Sequence, residues 1–111
     1  MSLDLPSDET VTIKRLTEVL VQAASPRFVI LFGSYARGDA TKDSDLDVMV
    51  VEENLTNRVA EMVRLNRLVR SPDIAVDLLV VSIEKFLYWR ETPGNVYFEA
   101  ATEGRILYEA A

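Results

Sequence analysis

The spacing of apolar residues predicts a helix followed by a strand near the start of the chain. From Glu9 to Ala24, apolar side chains recur every three or four positions, as on one face of an amphipathic helix. The predicted face comprises Val11, Ile13, Leu16, Val19, Leu20 and Ala23. Ser7–Asp8 is a helix start signal, and Ser25–Pro26 ends the helix because proline disfavours helical geometry in the preceding residue. The continuous apolar run from Phe28 to Phe32 predicts a short strand buried on both faces.

The middle of the chain repeats this order with a second strand and a second helix. A Gly33–Ser34 turn, a helical turn at 35–37 and a polar loop ending at Ser44 lead into a strand predicted over 45–51. A second amphipathic helix follows, and Ser71–Pro72 closes it. Its predicted apolar residues are Leu55, Val59, Met62, Val63 and Val69.

A third strand, two short helices and an edge strand complete the predicted order of elements. The third strand covers 74–81, and Ser82 is placed to cap the short helix that follows it. Thr92–Pro93 has the composition of a helix N-cap and first position, so it predicts the start of a last helix that ends at Gly104. Residues 105–108 then predict a short edge strand.

This alternation predicts a single domain over residues 1–111 of the α/β (α+β two-layer) class. We expect a small mixed β-sheet with helices packed mainly on one face. The 49% of hydrophobic residues is enough for one core. No apolar run approaches the roughly 20 residues that span a bilayer, and the N-terminus does not resemble a signal peptide. We therefore expect a cytoplasmic protein without membrane contact.

The composition also narrows the available chemistry. The chain has no cysteine, which excludes disulfides and thiolate metal sites and favours the cytoplasm. It has no histidine, so any catalysis must rely on carboxylates and hard cations. The net charge of −6 argues against nucleic-acid binding through a broad basic surface, and we expect no direct DNA binding.

Three aspartates lie within the second and third predicted strands. Asp45 and Asp47 point to one face because they are two residues apart in a strand, and Asp77 interrupts the apolar run of the next strand. One interpretation is that all three are solvated acids, with Asp77 on an exposed face. The other is a carboxylate cluster that binds Mg²⁺ and supports two-metal nucleotidyl transfer, because Mg²⁺ prefers oxygen ligands.

A possible phosphate-binding turn precedes these acids. Gly33 can adopt backbone angles closed to other residues, and Ser34 opens a short helix whose hydroxyl and N–H groups can face an anion. Arg37, one turn later, can add a charge-assisted contact to the same phosphate. Taken alone, a segment of this kind is more often a plain turn. Asp39 and Asp43, in the loop that follows, are expected to be solvated.

The combined pattern resembles a known family. Gly33-Ser34, ten residues and Asp45-Leu46-Asp47 resemble the GSx10DxD signature of the DNA polymerase β-like nucleotidyltransferases. The stretch GSYARGDATKDSDLDVMVV is similar to minimal nucleotidyltransferases (MNT domains), and the C-terminal EAATEGRILYEA also resembles these short proteins. Asp77 matches the third carboxylate of the family.

The resemblance implies an activity and roles for individual residues. It implies that Asp45, Asp47 and Asp77 are catalytic and hold two Mg²⁺ ions, with ATP as the nucleotide donor. It also implies nucleotide-binding roles for four residues. These are Gly33, Ser34, Arg37 and Ser44.

The resemblance further implies a protein partner. MNT proteins typically pair with a HEPN-domain toxin, and the MNT member is the antitoxin that attaches AMP to a tyrosine of the toxin. Two alternatives stay open, namely an antitoxin that only occludes its partner and nucleotidyl transfer to a small molecule. A homodimer or a hetero-oligomer is compatible with either. The aromatic-rich segment 86–101 either packs in the core or forms a partner contact, with Trp89–Arg90 as its leading candidate.

Overall fold

The computed structural model describes residues 8–72 and 74–111, and four strands and five helices lie within them. The strands are β1 (Phe28–Phe32), β2 (Leu46–Glu52), β3 (Val76–Ser82) and β4 (Arg105–Glu109). The helices are α1 (Asp8–Ala24), α2 (Ser34–Arg37), α3 (Arg58–Leu68), α4 (Ile83–Trp89) and α5 (Val96–Glu103). The bounds of β1 are those that the apolar run predicts. Ser7, part of the predicted start signal, lies outside the described residues.

The strands form one mixed sheet in the order β3-β2-β1-β4. β1 is antiparallel to both of its neighbours, whereas β2 and β3 run parallel. β4 closes one edge of the sheet, as the sequence predicts. The predicted class, a small mixed sheet with helices, is therefore confirmed.

Two apolar cores lie on opposite faces of this sheet. On one face, α1 and α3 pack against the strands through Leu16, Leu20 and Leu65. On the other, α4 and α5 contribute Phe86 and Ala100. The two longest helices, α1 and α3, pack on one face of the sheet, as predicted. The shorter helices α4 and α5 cover the opposite face, so the sheet lies between two layers of helices. β1 is buried on both sides because its residues alternate between the two cores.

The buried face of α3 differs from the prediction. Val59 and Val63 are 67% and 48% exposed, and Leu55 precedes the helix. The fully buried residue of α3 is Leu65, with Val69 buried just after the helix. Leu55, Met62 and Val69 pack against the core as predicted, whereas the predicted Val59 and Val63 lie outside the buried face. Val11 of α1, 54% exposed, is misassigned in the same way.

The start predicted for the last helix is also wrong. Asn95, not Thr92, caps α5, and its side-chain oxygen accepts a hydrogen bond from the Phe98 N–H at 2.9 Å. The amide of Asn95 donates to the Thr92 carbonyl at 2.7 Å, so Thr92 belongs to the preceding turn. Gly104 does end α5, and Ser82 does cap α4.

Side chains of α3 hold the outer strand β3. The Arg58 Nε donates to the Val80 carbonyl at 2.7 Å, and the Asn66 amide donates to the Leu78 carbonyl at 3.5 Å. Because these carbonyls are bonded within the chain, β3 offers fewer free acceptors to another strand. No helix within the described residues is both long and apolar enough to cross a membrane.

Candidate active site

The register of the sheet brings the three predicted aspartates to one place. Asp47 lies directly opposite Asp77 in the parallel pairing of β2 with β3. Asp45 stands immediately before β2, two residues from Asp47. Leu46 and Val48 are buried in the core beneath α1 and α3, so Asp47 lies on the other face of the sheet, which α4 and α5 cover in part. Asp77 and Asp45 are exposed, and Asp47 is half-buried.

The electrostatics of the site centre on Asp47. Burial raises the pKa of Asp47, and the neighbouring charges of Asp77, Asp45 and Glu99 raise it further, in that order. Arg37 lowers the pKa of Asp47. The site therefore carries an excess of negative charge, which a bound cation would offset.

Gly33 meets two structural requirements beside Asp47. Its φ of 73° and ψ of −156° lie in a region that is essentially restricted to glycine. A Cβ built on Gly33 would also overlap the Asp47 Oδ2. The end of β1 thus approaches the carboxylate more closely than any residue with a side chain allows. This closeness follows from the sheet, since Phe32 pairs with Asp47.

The turn after Gly33 is compact. Ser34 begins α2, and the backbone N–H groups of Ala36 and Arg37 donate to the Gly33 carbonyl at 3.1 and 3.0 Å. Gly38, with φ of 85°, ends the turn. The predicted strand, glycine–serine turn and helix are therefore present, although phosphate binding by this turn stays a prediction.

Ser44 has a local partner. Its hydroxyl accepts a hydrogen bond from the Thr41 N–H at 2.9 Å, and its own N–H donates to the Thr41 carbonyl at 3.0 Å. Ser44 thus shapes the loop that delivers Asp45 to the sheet. Its contact with a nucleotide stays a prediction.

Arg37 pairs with three carboxylates, two of which the sequence did not identify. Its Nε donates to the Asp39 Oδ2 at 3.3 Å, and its Nη1 lies 3.4 Å from Glu99 and 3.6 Å from Glu103. Asp39 is exposed, as expected, but it is not solely solvated. Glu99 and Glu103 stand four residues apart, which places both on one side of a helix. The sequence alone therefore indicates that Glu99 and Glu103 lie on the same side of a helix, but it does not indicate that they face Arg37.

A family model described as a nucleotidyltransferase domain matches residues 13–101, and this range includes every predicted site residue. The chain belongs to the nucleotidyltransferase domain family. The predicted activity class is therefore confirmed.

Two curated relatives of this nucleotidyltransferase come from Methanocaldococcus jannaschii, and both are candidate protein adenylyltransferases. One is 32% identical over 80 residues, which are 72% of this chain and 76% of that protein. The other is 57% identical over 30 residues, which are 27% of this chain and 20% of that protein.

Solved structures share the fold of this nucleotidyltransferase. A candidate nucleotidyltransferase from Sulfolobus solfataricus has a TM-score of 0.64 at 20% identity, covering 89% of this chain and 78% of that one. A toxin–antitoxin complex with AMP-PNP has a TM-score of 0.60 at 22% identity, covering 87% and 73%. A mutant of the toxin–antitoxin MntA–HpeT has a TM-score of 0.62 at 20% identity, covering 88% and 73%.

The donor types in the nucleotidyltransferase site fit Mg²⁺, but the side chains do not form a finished metal site. Within residues 8–72 and 74–111, no three acidic side chains are grouped so that they could hold a metal ion. The oxygen ligands are of the kind that Mg²⁺ prefers, and the charge of a metal ion would offset the repulsion that raises the pKa of Asp47. Asp45 and Asp77 are exposed, which leaves their side chains room to rotate towards a shared ion.

Proposed function

We propose that this cytoplasmic nucleotidyltransferase transfers AMP from ATP to a tyrosine hydroxyl of a HEPN-type toxin and thereby acts as its antitoxin. The observation that carries this proposal is the β2–β3 register, which sets Asp47 against Asp77 with Asp45 two residues away. Gly33, which begins the turn at the end of β1, lies beside Asp47. Acids and a turn in this arrangement fit a triphosphate bound through metal ions.

The residues divide the chemistry between binding and proton transfer. Asp45, Asp47 and Asp77 would hold Mg²⁺, and the ion would supply positive charge at the triphosphate and at the attacking oxygen when bound. Asp77 accepts the proton of the acceptor hydroxyl, whose oxygen forms a bond to the α-phosphorus. The bond from that phosphorus to the bridging oxygen breaks, and pyrophosphate leaves. Ser34 and Arg37 bind phosphate oxygens, so the rate gain comes from positioning and charge.

The comparisons support a protein as the acceptor and a toxin as the partner. The curated relatives are candidate protein adenylyltransferases, and two structural neighbours are toxin–antitoxin complexes. The aromatic segment provides a surface for such a partner. Phe86 is buried, whereas Tyr88 and Trp89 are 74% and 41% exposed, with their rings 4.9 Å apart edge to face. Exposed aromatic residues of this kind are enriched in protein interfaces.

The test is transfer of label from α-labelled ATP to a purified HEPN-type toxin. We expect transfer with Mg²⁺ and at least a 100-fold loss in the double variant Asp45→Asn, Asp47→Asn. Asp43→Asn is the matched control because Asp43 is an exposed loop aspartate close to the same strand, and it should keep near-normal transfer. Absence of transfer with every nucleoside triphosphate would overturn the proposal.

A second candidate function is an antitoxin that works by occlusion alone. The lack of a formed three-carboxylate metal group in the described part of the chain and the exposed Tyr88 and Trp89 favour it. The double aspartate variant separates the two functions. Occlusion predicts full neutralisation of the toxin by that variant, whereas AMP transfer predicts none.

A further inference from the structure

Arg37 lies within a group of carboxylates contributed by two separate parts of the chain. It is the last residue of α2; Asp39 follows in the loop, and Glu99 and Glu103 extend from α5. The three acidic oxygens lie 3.3 to 3.6 Å from guanidinium nitrogens. The side chain of Arg37 is 40% exposed, so a ligand can reach it from solvent.

The geometry of these pairs limits what Arg37 can bind at the same time. A guanidinium offers a phosphate two bidentate forks, one from Nε with a terminal nitrogen and one from the two terminal nitrogens. Asp39 occupies Nε, which belongs to the first fork. Glu99 and Glu103 both face Nη1, which belongs to the second. Each fork therefore contains a nitrogen that already faces a carboxylate, so a bidentate phosphate contact must share or displace at least one ion pair.

The position of Arg37 places this competition at the edge of the active site. Arg37 lowers the pKa of Asp47 and Glu99 raises it, so both side chains act on the Asp47 carboxylate. Arg37 and Glu99 also line a cavity of about 510 Å³, together with Phe98 and Glu103. A triphosphate that bridges the aspartates and Arg37 would approach the two glutamates and be repelled by them.

We infer that Asp39, Glu99 and Glu103 hold Arg37 in an ion-paired position that competes with its binding of the nucleotide triphosphate. This inference rests on the proposed function and adds a regulation of the same site. Glu103 is a positioning residue that acts through Arg37 and contacts no reacting atom. The acids of α5 therefore set the affinity for the nucleotide and leave the rate of the chemical step unchanged.

The test is a double-mutant cycle read out by nucleotide affinity. The probe is a non-transferable ATP analogue with Mg²⁺, and its Kd is measured by calorimetry. We expect Glu103→Gln to tighten binding about 2- to 5-fold, the range that a partly exposed ion pair permits. Arg37→Ala should weaken binding, and Glu103→Gln should have no effect once Arg37 is absent. In transfer assays, Glu103→Gln should lower KM for ATP at constant kcat.

A charge-matched control and the contrary results complete the design. Glu91→Gln removes the same charge from the exposed loop between α4 and α5, and its Kd should stay within 2-fold of the unaltered protein. Equal tightening by Glu103→Gln with and without Arg37 would overturn the inference, because the effect would then be general electrostatics. Weakened or unchanged binding in Glu103→Gln would also overturn it. If the unaltered protein binds nucleotide but Glu103→Gln does not tighten that binding, only the inference fails. If the unaltered protein binds no nucleotide, the proposed function fails as well.

Discussion

Glu52, a single acid far along β2 from the site, has an unusual protonation state. It is 8% exposed, and its Oε2 has no hydrogen-bond partner among the described residues. Burial chiefly, and then the hydrogen bond and charge of Glu61, raise the pKa of Glu52 to about 8. The pKa of Glu61 is lowered, chiefly by Arg64, which donates two hydrogen bonds of 2.9 Å to it. At neutral pH, Glu52 is therefore protonated and Glu61 is ionised.

This state predicts a pH dependence of the free energy of unfolding. The folded-state pKa of Glu52 lies above its unfolded value of about 4.5, so the folded state binds the extra proton between these two values. The stabilisation from the extra proton on Glu52 is fully present below about pH 4.5. As pH rises towards 8 this stabilisation is lost, and the free energy of unfolding falls by at most about 1.4 kcal/mol per pH unit. Glu52→Gln keeps a neutral side chain and should remove this loss.

Urea denaturation at pH 5, 6.5 and 8 measures the effect as the difference between variant and unaltered protein. We expect the advantage of Glu52→Gln to grow with pH. The control is Glu53→Gln, since Glu53 is exposed and paired with Arg27 at 3.1 Å, and its difference should stay flat across the range. Parallel stability curves for Glu52→Gln and the unaltered protein would contradict the assignment of the proton.

Gly33 carries a second residue-scale prediction. Gly33→Ala should lower the free energy of unfolding by about 2–3 kcal/mol, because both its backbone angles and the space beside Asp47 exclude a side chain. Nucleotidyl transfer should fall with it. Gly38→Ala separates the effect of the backbone angles from the effect of the overlap with Asp47. Gly38 also has a positive φ, but no atom lies within 4 Å of a Cβ added to it. Its loss should be about 1–2 kcal/mol with transfer retained. Equal losses would mean that the approach to Asp47 is unimportant.

At the scale of elements, α3 stabilises the sheet through the carbonyl groups of β3. Arg58→Met removes the 2.7 Å hydrogen bond to Val80, and we expect a loss of about 1.5–3 kcal/mol, as for hydrogen bonds from charged groups. Arg67→Met is the control because Arg67 is an exposed residue of the same helix, and it should change stability by less than about 0.5 kcal/mol. Chemical denaturation measures both. A similar loss of stability in the two variants would show that the loss comes from removing a positive charge from α3 and not from removing the hydrogen bond to Val80.

The elements also show where sequence reasoning succeeds and where it fails. The apolar run predicts the bounds of β1 correctly, because every residue of a strand buried on both faces is apolar and the run ends where the strand ends. The stripe of α3 that is buried depends on the placement of the sheet, which periodicity does not contain, so Val59 and Val63 were misassigned. Thr92–Pro93 is the stronger local start signal, but the hydrogen bonds of Asn95 begin the helix later.

The same division holds for the candidate site. The motif spacing predicts Asp45 and Asp47 as site residues, and the resemblance to the family predicts Asp77. Their adjacency depends on the parallel register of β2 with β3, which no local pattern encodes. The pairing of Glu99 with Arg37 joins residues that are 62 positions apart, so only the fold reveals it.

At the scale of the whole molecule, ligand binding should stabilise the fold. At 100 times Kd, a ligand that binds only the folded state adds about 2.7 kcal/mol. For a domain of this size, we expect Mg²⁺ with ATP to raise Tm by roughly 10 °C or more. Thermal unfolding with ATP and either Mg²⁺ or EDTA measures this. The rise should disappear with EDTA and in the Asp45→Asn, Asp47→Asn variant. An undiminished rise in EDTA would contradict metal-assisted binding.

The late position of β4 in the sequence has a consequence for biosynthesis. β1 pairs with β2 early in the chain, but its other edge is covered only by β4, which lies more than seventy residues downstream. A nascent chain therefore presents one uncovered edge of a wholly apolar strand until β4 has left the ribosome. Fragments that end before Gly104 should thus aggregate or recruit chaperones, and fusions placed after β4 should be tolerated better than interruptions ahead of it.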